Sequence, residues 1–360
     1  MNIVYGVSGE GLGHAFEARE IGAALERAGH RLKVLTYGER SLATLSRFSP
    51  TRIEGISLQF GRNGMSLIST AIKNAGCIPF YIRNWKRLKK EIAEFKPDVF
   101  ITAYDPFTTL MAHATRKPLI SMDNQNELLF IRKPAGASSI QFRIARLATR
   151  VCTYGADRYV IKSFRAGERA TSSKASADRA RFVSPLIQED ILRLSPETGK
   201  HVLVYLTKPN ERLIEILQSL PRERFVVYCG GKTGREGNIE YRAPGPNYVE
   251  DLRTCKAVIG TTGFSLVNDA RFLGKPYFGV PLKKQFEQTY NAVFLQESGM
   301  GDFSEDPKKP DIERFLSDLP RYRAHFADVR IDPHDQEKTL LSAIDELVPA
   351  RSVMPTTLRA

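Results

Sequence analysis

The sequence of 360 residues predicts an α/β fold made of two successive parallel sheets. Short apolar runs of strand length alternate with helical stretches along most of the chain, which is typical of a parallel sheet with helices on both faces. The alternation stops at a polar, proline-containing stretch at 184–200 and then starts again. The length suits about two domains of roughly 150–200 residues each. We therefore predict two Rossmann-like domains that face each other across a cleft.

The first domain, predicted over 1–185, opens with an apolar strand at Asn2–Val7. A glycine-rich turn follows, and then a helix that places Ala18, Ile21 and Leu25 on one face. The further strands predicted in this half are Arg31–Thr36, Arg52–Leu58, Asp98–Ala103, Leu119–Met122, Asp157–Ile161 and Arg181–Val183, with two helices between 64 and 96.

The second domain, predicted over 200–335, repeats this alternation. Its predicted strands are His201–Leu206, Phe225–Cys229, Asn238–Arg242, Lys256–Gly260 and Pro276–Val280, and its helices are Glu211–Leu220, Tyr248–Arg253, Ser265–Leu273, Gln285–Ser298 and Ile312–Leu319. A C-terminal helix and tail are predicted over 336–360. Ligands of open α/β sheets bind at the carboxyl ends of the strands, so the site residues are sought there.

The composition limits the classes of ligand and the compartment. A net charge of +13 attracts anions such as nucleotides, acidic lipids or nucleic acid. The four cysteines have neither metal-ligand spacing nor the pattern of a disulfide framework, which favours a reducing cytoplasm. No apolar run reaches the roughly 18 residues that a transmembrane helix needs.

The first turn, from Gly6 to His14, carries the glycines that let a backbone approach a ligand closely. It is not a P-loop, because His14 stands where lysine would follow the last glycine. It is not a dinucleotide fingerprint either, since no acid ends the second strand, and no NAD or FAD cofactor is expected. Gly11 and Gly13 are predicted to approach a phosphorylated donor. His14 begins a helix at the mouth of the sheet, where it serves either as a general base or as a helix-end side chain.

Acidic and amide side chains follow two further strands of this half. Asp105 comes after the strand at Asp98–Ala103 and is predicted to orient His14; the alternative is that it caps the helix beginning at Pro106. A polar cluster that includes Asp123, Asn124 and Gln125 follows the next strand. These three residues are predicted to contact acceptor or sugar hydroxyls, and the alternative is a solvated loop.

The second half contains a strand that ends in small residues before a helix. Because the amides at a helix start favour anions, Thr262, Gly263, Phe264 and Ser265 are predicted to hold a diphosphate. Asp269, about one turn further along, is placed to accept hydrogen bonds from ribose hydroxyls. Gln285, Glu287 and Gln288 lie at the start of a later helix beside the same cleft, where a carboxylate and an adjacent amide suit the binding of sugar hydroxyls.

Two more loops complete the predicted donor site. Lys208 follows the first strand of the second half, and Gly231 with Lys232 follows another strand. Either lysine is placed to neutralise a departing diphosphate in place of a metal ion, and the alternative is an ordinary surface lysine. No acidic pair stands where a metal-dependent donor site requires one, so no metal is expected.

The motifs of the second half resemble those of the GT-B glycosyltransferases. A glycine, Phe-Ser-Leu, Asp-Ala, Gly-Lys-Pro, Glu-Gln and Asn-Ala succeed one another between Gly260 and Gly301, and the Gly-Leu-Gly-His turn at His14 is similar to the acceptor-side loop of these enzymes. The resemblance is greatest to an uncharacterised bacterial and archaeal branch related to UDP-glycosyltransferases and to the GlcNAc transferase that forms lipid II. It implies that His14 is the base, that Asp269 holds the ribose, and that Glu287 with Gln288 holds the donor sugar. Asp269 and Glu287 depart from the usual Glu and Asp, which leaves the donor sugar open.

The resulting hypothesis is a metal-independent, inverting transfer of a sugar from a nucleotide diphosphate, with UDP favoured, to a hydroxyl of a glycan or lipid-linked acceptor. The basic segment from Ile82 to Lys90, which includes Trp85, is predicted to dock on an anionic membrane; the alternative is a solvated helix with a buried apolar stripe. Nucleic-acid binding is not expected, because no recognition module is present. A UDP-sugar 2-epimerase-like isomerase and a non-enzymatic nucleotide-sugar binding protein remain the alternative functions.

Overall fold

The computed structural model describes residues 1–9, 13–53, 55, 60–61, 64–65, 78–131, 133, 139–165, 178–283, 285–327, 329 and 331–348. They form two seven-stranded sheets and one two-stranded pair. Within both large sheets the strands pair in parallel, apart from one antiparallel pair at an edge of the second sheet. The predicted α/β class is confirmed.

The first sheet has the strand order β3-β2-β1-β6-β7-β8-β9. Its strands are β1 (Asn2–Val7), β2 (Arg31–Thr36), β3 (Thr51–Arg52), β6 (Val99–Ala103), β7 (Leu119–Met122), β8 (Arg158–Lys162) and β9 (Ala180–Val183), and the separate pair is β4 (Phe60–Gly61) with β5 (Gly64–Met65). The helices of this half are α1 (Gly13–Arg27), α2 (Glu39–Thr44), α3 (Ile78–Phe95), α4 (Pro106–Thr115), α5 (Glu127–Phe130) and α6 (Ser139–Cys152). The short helix α7 (Glu189–Leu192) follows in the connection between the sheets, and its Ile191 packs in the core of the second half. The helices predicted across 64–96 are corrected in part, because β5 begins that stretch and α3 ends it.

The second sheet has the strand order β12-β13-β11-β10-β14-β15-β16. Its strands are β10 (His201–Leu206), β11 (Arg224–Cys229), β12 (Gly234–Glu236), β13 (Ile239–Tyr241), β14 (Ala257–Gly260), β15 (Tyr277–Gly279) and β16 (Gly301–Phe303). The helices are α8 (Glu211–Gln218), α9 (Asn247–Thr254), α10 (Phe264–Phe272), α11 (Phe286–Glu297), α12 (Lys309–Ser317), α13 (Leu319–Ala324) and α14 (Asp335–Leu347).

The last helix returns to the first sheet. In α14, Leu340, Ala343 and Ile344 are buried in the same apolar cluster as Ile3 of β1, and Arg158 of β8 pairs with Glu346. The chain therefore crosses between the sheets twice. The helix begins beside the carboxyl end of β9, where the Ser184 N–H donates to Asp335, and it ends beside the amino end of β8, where Arg158 lies.

Candidate active site

Two helices, one from each half, begin opposite each other. A Cβ atom placed on Gly13, the first residue of α1, would lie 3.0 Å from the Oγ atom of Ser265 in the first turn of α10. Gly263 precedes α10 and has no side chain with which to cap it, so the first amides of this helix are open to a ligand. Gly13 and Ser265 are both exposed, so the junction of the two helix starts is open to solvent. The two halves, predicted to face each other across a cleft, therefore meet at the His14 turn and at the helix that follows Gly263.

His14, the second residue of α1, is held by a carboxylate. Its Nε2 atom lies 2.8 Å from Oδ2 of Asp123, which is fully buried just after β7. Burial favours the neutral imidazole, but the charge of Asp123 outweighs this effect and raises the pKa of His14. Burial opposes the ionisation of Asp123 in turn, yet His14 and Lys162 keep its pKa below the usual value. The pair has the arrangement of a general base and the acid that orients it.

The prediction that Asp105 orients His14 is wrong. The Asp105 carboxylate is fully buried and accepts hydrogen bonds from the backbone N–H of Thr108 (2.9 Å) and from its hydroxyl (2.6 Å). It is therefore the N-cap of α4, which was the alternative. The prediction that Asp123 contacts the acceptor is corrected as well, because Asp123 has no exposed surface and pairs with His14.

Tyr104 borders the imidazole and was not predicted. Its ring lies parallel to that of His14, with centroids 6.4 Å apart and an interplanar angle of 11°. Its φ is 59°, a left-handed conformation that costs a non-glycine residue about 1–3 kcal/mol. Such strain persists only where the surroundings impose it, and here it points the ring towards His14.

A buried ion pair adjoins the His14–Asp123 pair. Lys162, the last residue of β8, pairs with Glu17, which follows His14 by three residues and so lies on the same face of α1. Only 4% of the Lys162 side chain and 14% of the Glu17 side chain are exposed. Burial opposes the charge on Lys162, but Glu17 and Asp123 raise its pKa, so the ammonium stays charged. The predicted strand at Asp157–Ile161 stopped one residue short of this lysine.

A small pocket lies between the two halves, beside the two helix starts. Its lining comes from both halves and consists of Gly13, Phe16, Glu17, Lys162, Leu186, Gln188, Phe264, Ser265, Asn268 and Asp269. Asp269 is only 5% exposed, and burial raises the pKa of its carboxyl to about 7. Among the described residues, none donates a hydrogen bond to this carboxyl group. A carboxylate in this state is a good acceptor for ligand hydroxyls, as the ribose prediction requires.

The predicted acceptor and sugar side chains meet across the cleft. The side-chain amides of Asn124 and Gln125 donate to the two oxygens of Glu287, over 3.1 Å and 2.9 Å. Nearby, the Tyr290 hydroxyl donates to Glu127 over 2.8 Å. The carboxylate that is predicted to bind the donor sugar is thus held by the opposite half of the molecule.

Several predicted donor residues also make contacts within the protein. Thr262 is fully buried and donates its hydroxyl to the Gln288 carbonyl, and the Gln288 side chain accepts from the Leu282 N–H. Phe264 stacks on Phe164 of the first half, with centroids 4.4 Å apart. These bonds fix the shape of the cleft wall.

Three of the remaining predicted residues, Lys208, Gly231 and Lys232, are exposed. The ammonium of Lys232 lies 2.6 Å from Glu236 and 3.9 Å from the centre of the Tyr241 ring, so its charge is already paired. Gly231 precedes it in the same exposed turn, with a φ of 76°. Lys208 is exposed just after the end of β10, and β10 lies next to β14 in the sheet. Gln285 directly precedes α11. Gly11 lies outside the described residues.

Comparisons with known proteins concern the family and the fold. The model of a family described as glycosyl transferase family 1 matches residues 1–320. An uncharacterized glycosyltransferase of Methanosarcina acetivorans is 23% identical over 333 residues, covering 87% of this chain and 88% of that protein. The structure of the glycosyltransferase of kitacinnamycin superposes with a TM-score of 0.66 at 14% identity, over 97% of this chain and 99% of the other. The structure of LpCGTa in complex with UDP superposes with a TM-score of 0.65 at 15% identity, over 95% of this chain and 99% of the other.

Proposed function

Because the chain belongs to glycosyl transferase family 1, we propose that it transfers a sugar from a UDP-linked donor with inversion at the anomeric carbon, using His14 as the base. The fold is GT-B, and the chain is a glycosyltransferase that uses a nucleotide-sugar donor. The identity of the base, the nucleotide, the stereochemistry and the acceptor belong to the proposal. Family membership gives no support to the isomerase or to the non-enzymatic sensor.

One observation carries the proposal: the starts of α1 and α10 face each other, with Gly13 opposite Ser265. The amides of α10 favour the diphosphate. Asp269 lies further along the same helix and lines the same pocket. His14 lies on the opposing wall, so an acceptor hydroxyl beside it would approach the anomeric carbon from the side away from the diphosphate.

The reaction then follows from this placement. His14 takes the proton of the acceptor hydroxyl, and Asp123 stabilises the imidazolium that forms. The acceptor oxygen bonds to the anomeric carbon, and the bond from that carbon to the β-phosphate oxygen breaks. The negative charge that develops on the leaving diphosphate meets the helix start at Gly263–Ser265. A single displacement of this kind inverts the configuration. No metal enters this mechanism, and the metal-free reaction stays a prediction.

Calorimetry with UDP, GDP and dTDP tests the donor assignment, and product analysis with a panel of UDP-sugars tests the reaction. We expect UDP to bind more tightly than the other two nucleotides. Asp269→Asn should weaken this binding, while Asp306→Asn, which changes an exposed aspartate paired with Arg212, should not. If none of the three nucleotides binds the wild type, the donor assignment is wrong.

The acceptor is proposed to be lipid-linked, because α6 presents an apolar and basic face. Ile140, Leu147 and Val151 are 71%, 62% and 58% exposed and follow one another at helical spacing, and Arg143 and Arg150 are exposed beside them. Such a face suits the surface of an anionic membrane. No helix within the described part of the chain is long and apolar enough to cross a bilayer.

The basic helix α3, which was predicted to dock on the membrane, is buried in part. The Trp85 ring packs edge-on against Phe107, with centroids 6.1 Å apart, and Leu88 is fully buried. The alternative of a buried apolar stripe therefore holds for these two residues. Ile82 is 55% exposed, and Lys86 and Lys89 are exposed as well.

Sedimentation with vesicles tests the membrane proposal. The protein should bind vesicles that contain phosphatidylglycerol and not vesicles of phosphatidylcholine alone. Leu147→Glu with Val151→Glu should abolish this binding without a change in UDP affinity. Equal binding by the double variant would refute α6 as the docking surface.

A further inference from the structure

Lys162 is a buried cation to which the mechanism proposed above assigns no role. Its side chain is 4% exposed, and an ammonium can be buried to this extent only if it is paired. Within the described ranges its ammonium donates to Glu17 alone, whereas an ammonium has three donors. Two donors therefore remain for a ligand.

The position of these donors is set by both halves of the molecule. Lys162 ends β8 of the first sheet, while its Nζ atom lies 5.9 Å from the ring centre of Phe264, the first residue of α10. Lys162, Ser265 and Asp269 line the same pocket. The ammonium thus reaches across the cleft to the helix start at which the proposed diphosphate binds.

The two lysines predicted to neutralise the departing diphosphate are less well placed than Lys162. Lys232 is half exposed and paired with Glu236, and Lys208 is exposed. A charge in water contributes far less to the stability of a developing anion than a charge held in a site that excludes water. Lys162 is held in such a site and remains protonated there.

We propose that Lys162 is a catalytic residue that contacts the β-phosphate of the donor and stabilises it as it leaves, an inference that rests on the proposed function. As the bond from the anomeric carbon to the β-phosphate oxygen breaks, its electron pair stays on that oxygen, while the acceptor proton passes to His14. The Lys162 ammonium donates a hydrogen bond to the phosphate and keeps its own proton. The first half of the molecule would then supply both the base and the leaving-group cation.

The test compares UDP with UMP, which lacks the β-phosphate, by calorimetry. Hydrogen bonds to charged groups predict that Lys162→Met weakens UDP binding about 10- to 100-fold and leaves UMP binding within about twofold. The matched control is Lys256→Met. It breaks another partly buried lysine–glutamate pair, with Glu223 at 2.5 Å, at the amino end of β14. The control should leave the affinities for both nucleotides unchanged.

Two results would count against the proposed contact between Lys162 and the β-phosphate, or against its premise. If Lys162→Met weakens UDP and UMP equally, or neither, the lysine is only structural and the inference is wrong. If the wild type binds neither nucleotide, the donor proposal itself fails, which is a distinguishable result. Should Lys162→Met not fold, Glu17→Gln with Lys162→Gln replaces the ion pair by a neutral pair of similar shape, and the same loss of preference for UDP over UMP is expected.

Discussion

Replacing Asp269 by asparagine should stabilise the folded protein and lower its affinity for UDP. The carboxyl is 5% exposed, and burial raises its pKa from 3.8 to about 7. The folded state therefore holds a proton that the unfolded state releases between about pH 4 and pH 7. The contribution of this carboxyl to the free energy of unfolding is greatest at low pH and falls as the pH rises through this window, because the native carboxylate must be ionised against its desolvation.

The magnitude follows from the two pKa values. A difference of about three pKa units at about 1.4 kcal/mol each gives about 4 kcal/mol of lost stability above pH 7. Asp269→Asn removes this loss, so the variant should be more stable than the wild type by up to about 4 kcal/mol at pH 8 and nearly equal to it at pH 4. The free energy of unfolding, measured with urea at both pH values, gives the comparison.

Function should change in the opposite direction. The asparagine lacks the negative charge that accepts ribose hydroxyl hydrogen bonds, so UDP affinity should fall about tenfold or more. Asp306→Asn, at an exposed ion pair, is the control for both measurements. Equal stability of variant and wild type at pH 8 would show that the carboxylate is not desolvated. Unchanged UDP affinity would refute its contact with the ribose.

Three further predictions concern the opposite wall. His14→Ala should lower kcat about 10²- to 10⁴-fold in a glycosyl-transfer assay and leave the UDP affinity from calorimetry within about twofold; a loss of binding instead would place His14 in the donor site. Asp123→Asn removes the charge that raises the pKa of His14, so the acidic limb of kcat/KM against pH should move to lower pH, whereas Asp105→Asn should lower the melting temperature without moving that limb. Gly13→Val should lower kcat, because its Cβ would lie 3.0 Å from Ser265 Oγ, and Ser265→Gly in the same chain should restore part of it; no rescue would contradict the close approach of the two helices.

The features that depend on local pattern could be predicted from the sequence. The alternation of apolar strands and helices predicted the two sheets. The glycines at the two turns predicted where α1, which contains His14, and α10 begin. The choice between carboxylates could not be predicted this way. Asp105 follows β6, the direct neighbour of β1, and yet it caps its own helix, whereas Asp123 follows the more distant β7 and reaches His14. Side-chain direction after the strand end decided the matter.

Lys162 shows a second limit of pattern reasoning. A lysine at the end of a strand is usually exposed, and the partner that allows its burial, Glu17, lies 145 residues earlier in the chain. One signal was present, since Glu17 follows His14 by three residues and therefore shares its helix face. The bonds from Asn124 and Gln125 to Glu287 likewise depend on how the two halves dock, which no local pattern records.

A crystal structure of the protein with UDP tests the central claim most directly. The account predicts the diphosphate at the first amides of α10, the ribose hydroxyls at Asp269, and the His14 turn on the facing wall. A nucleotide bound elsewhere would contradict it, for instance in the pocket between Arg158, Arg181 and α14 on the far side of the first sheet.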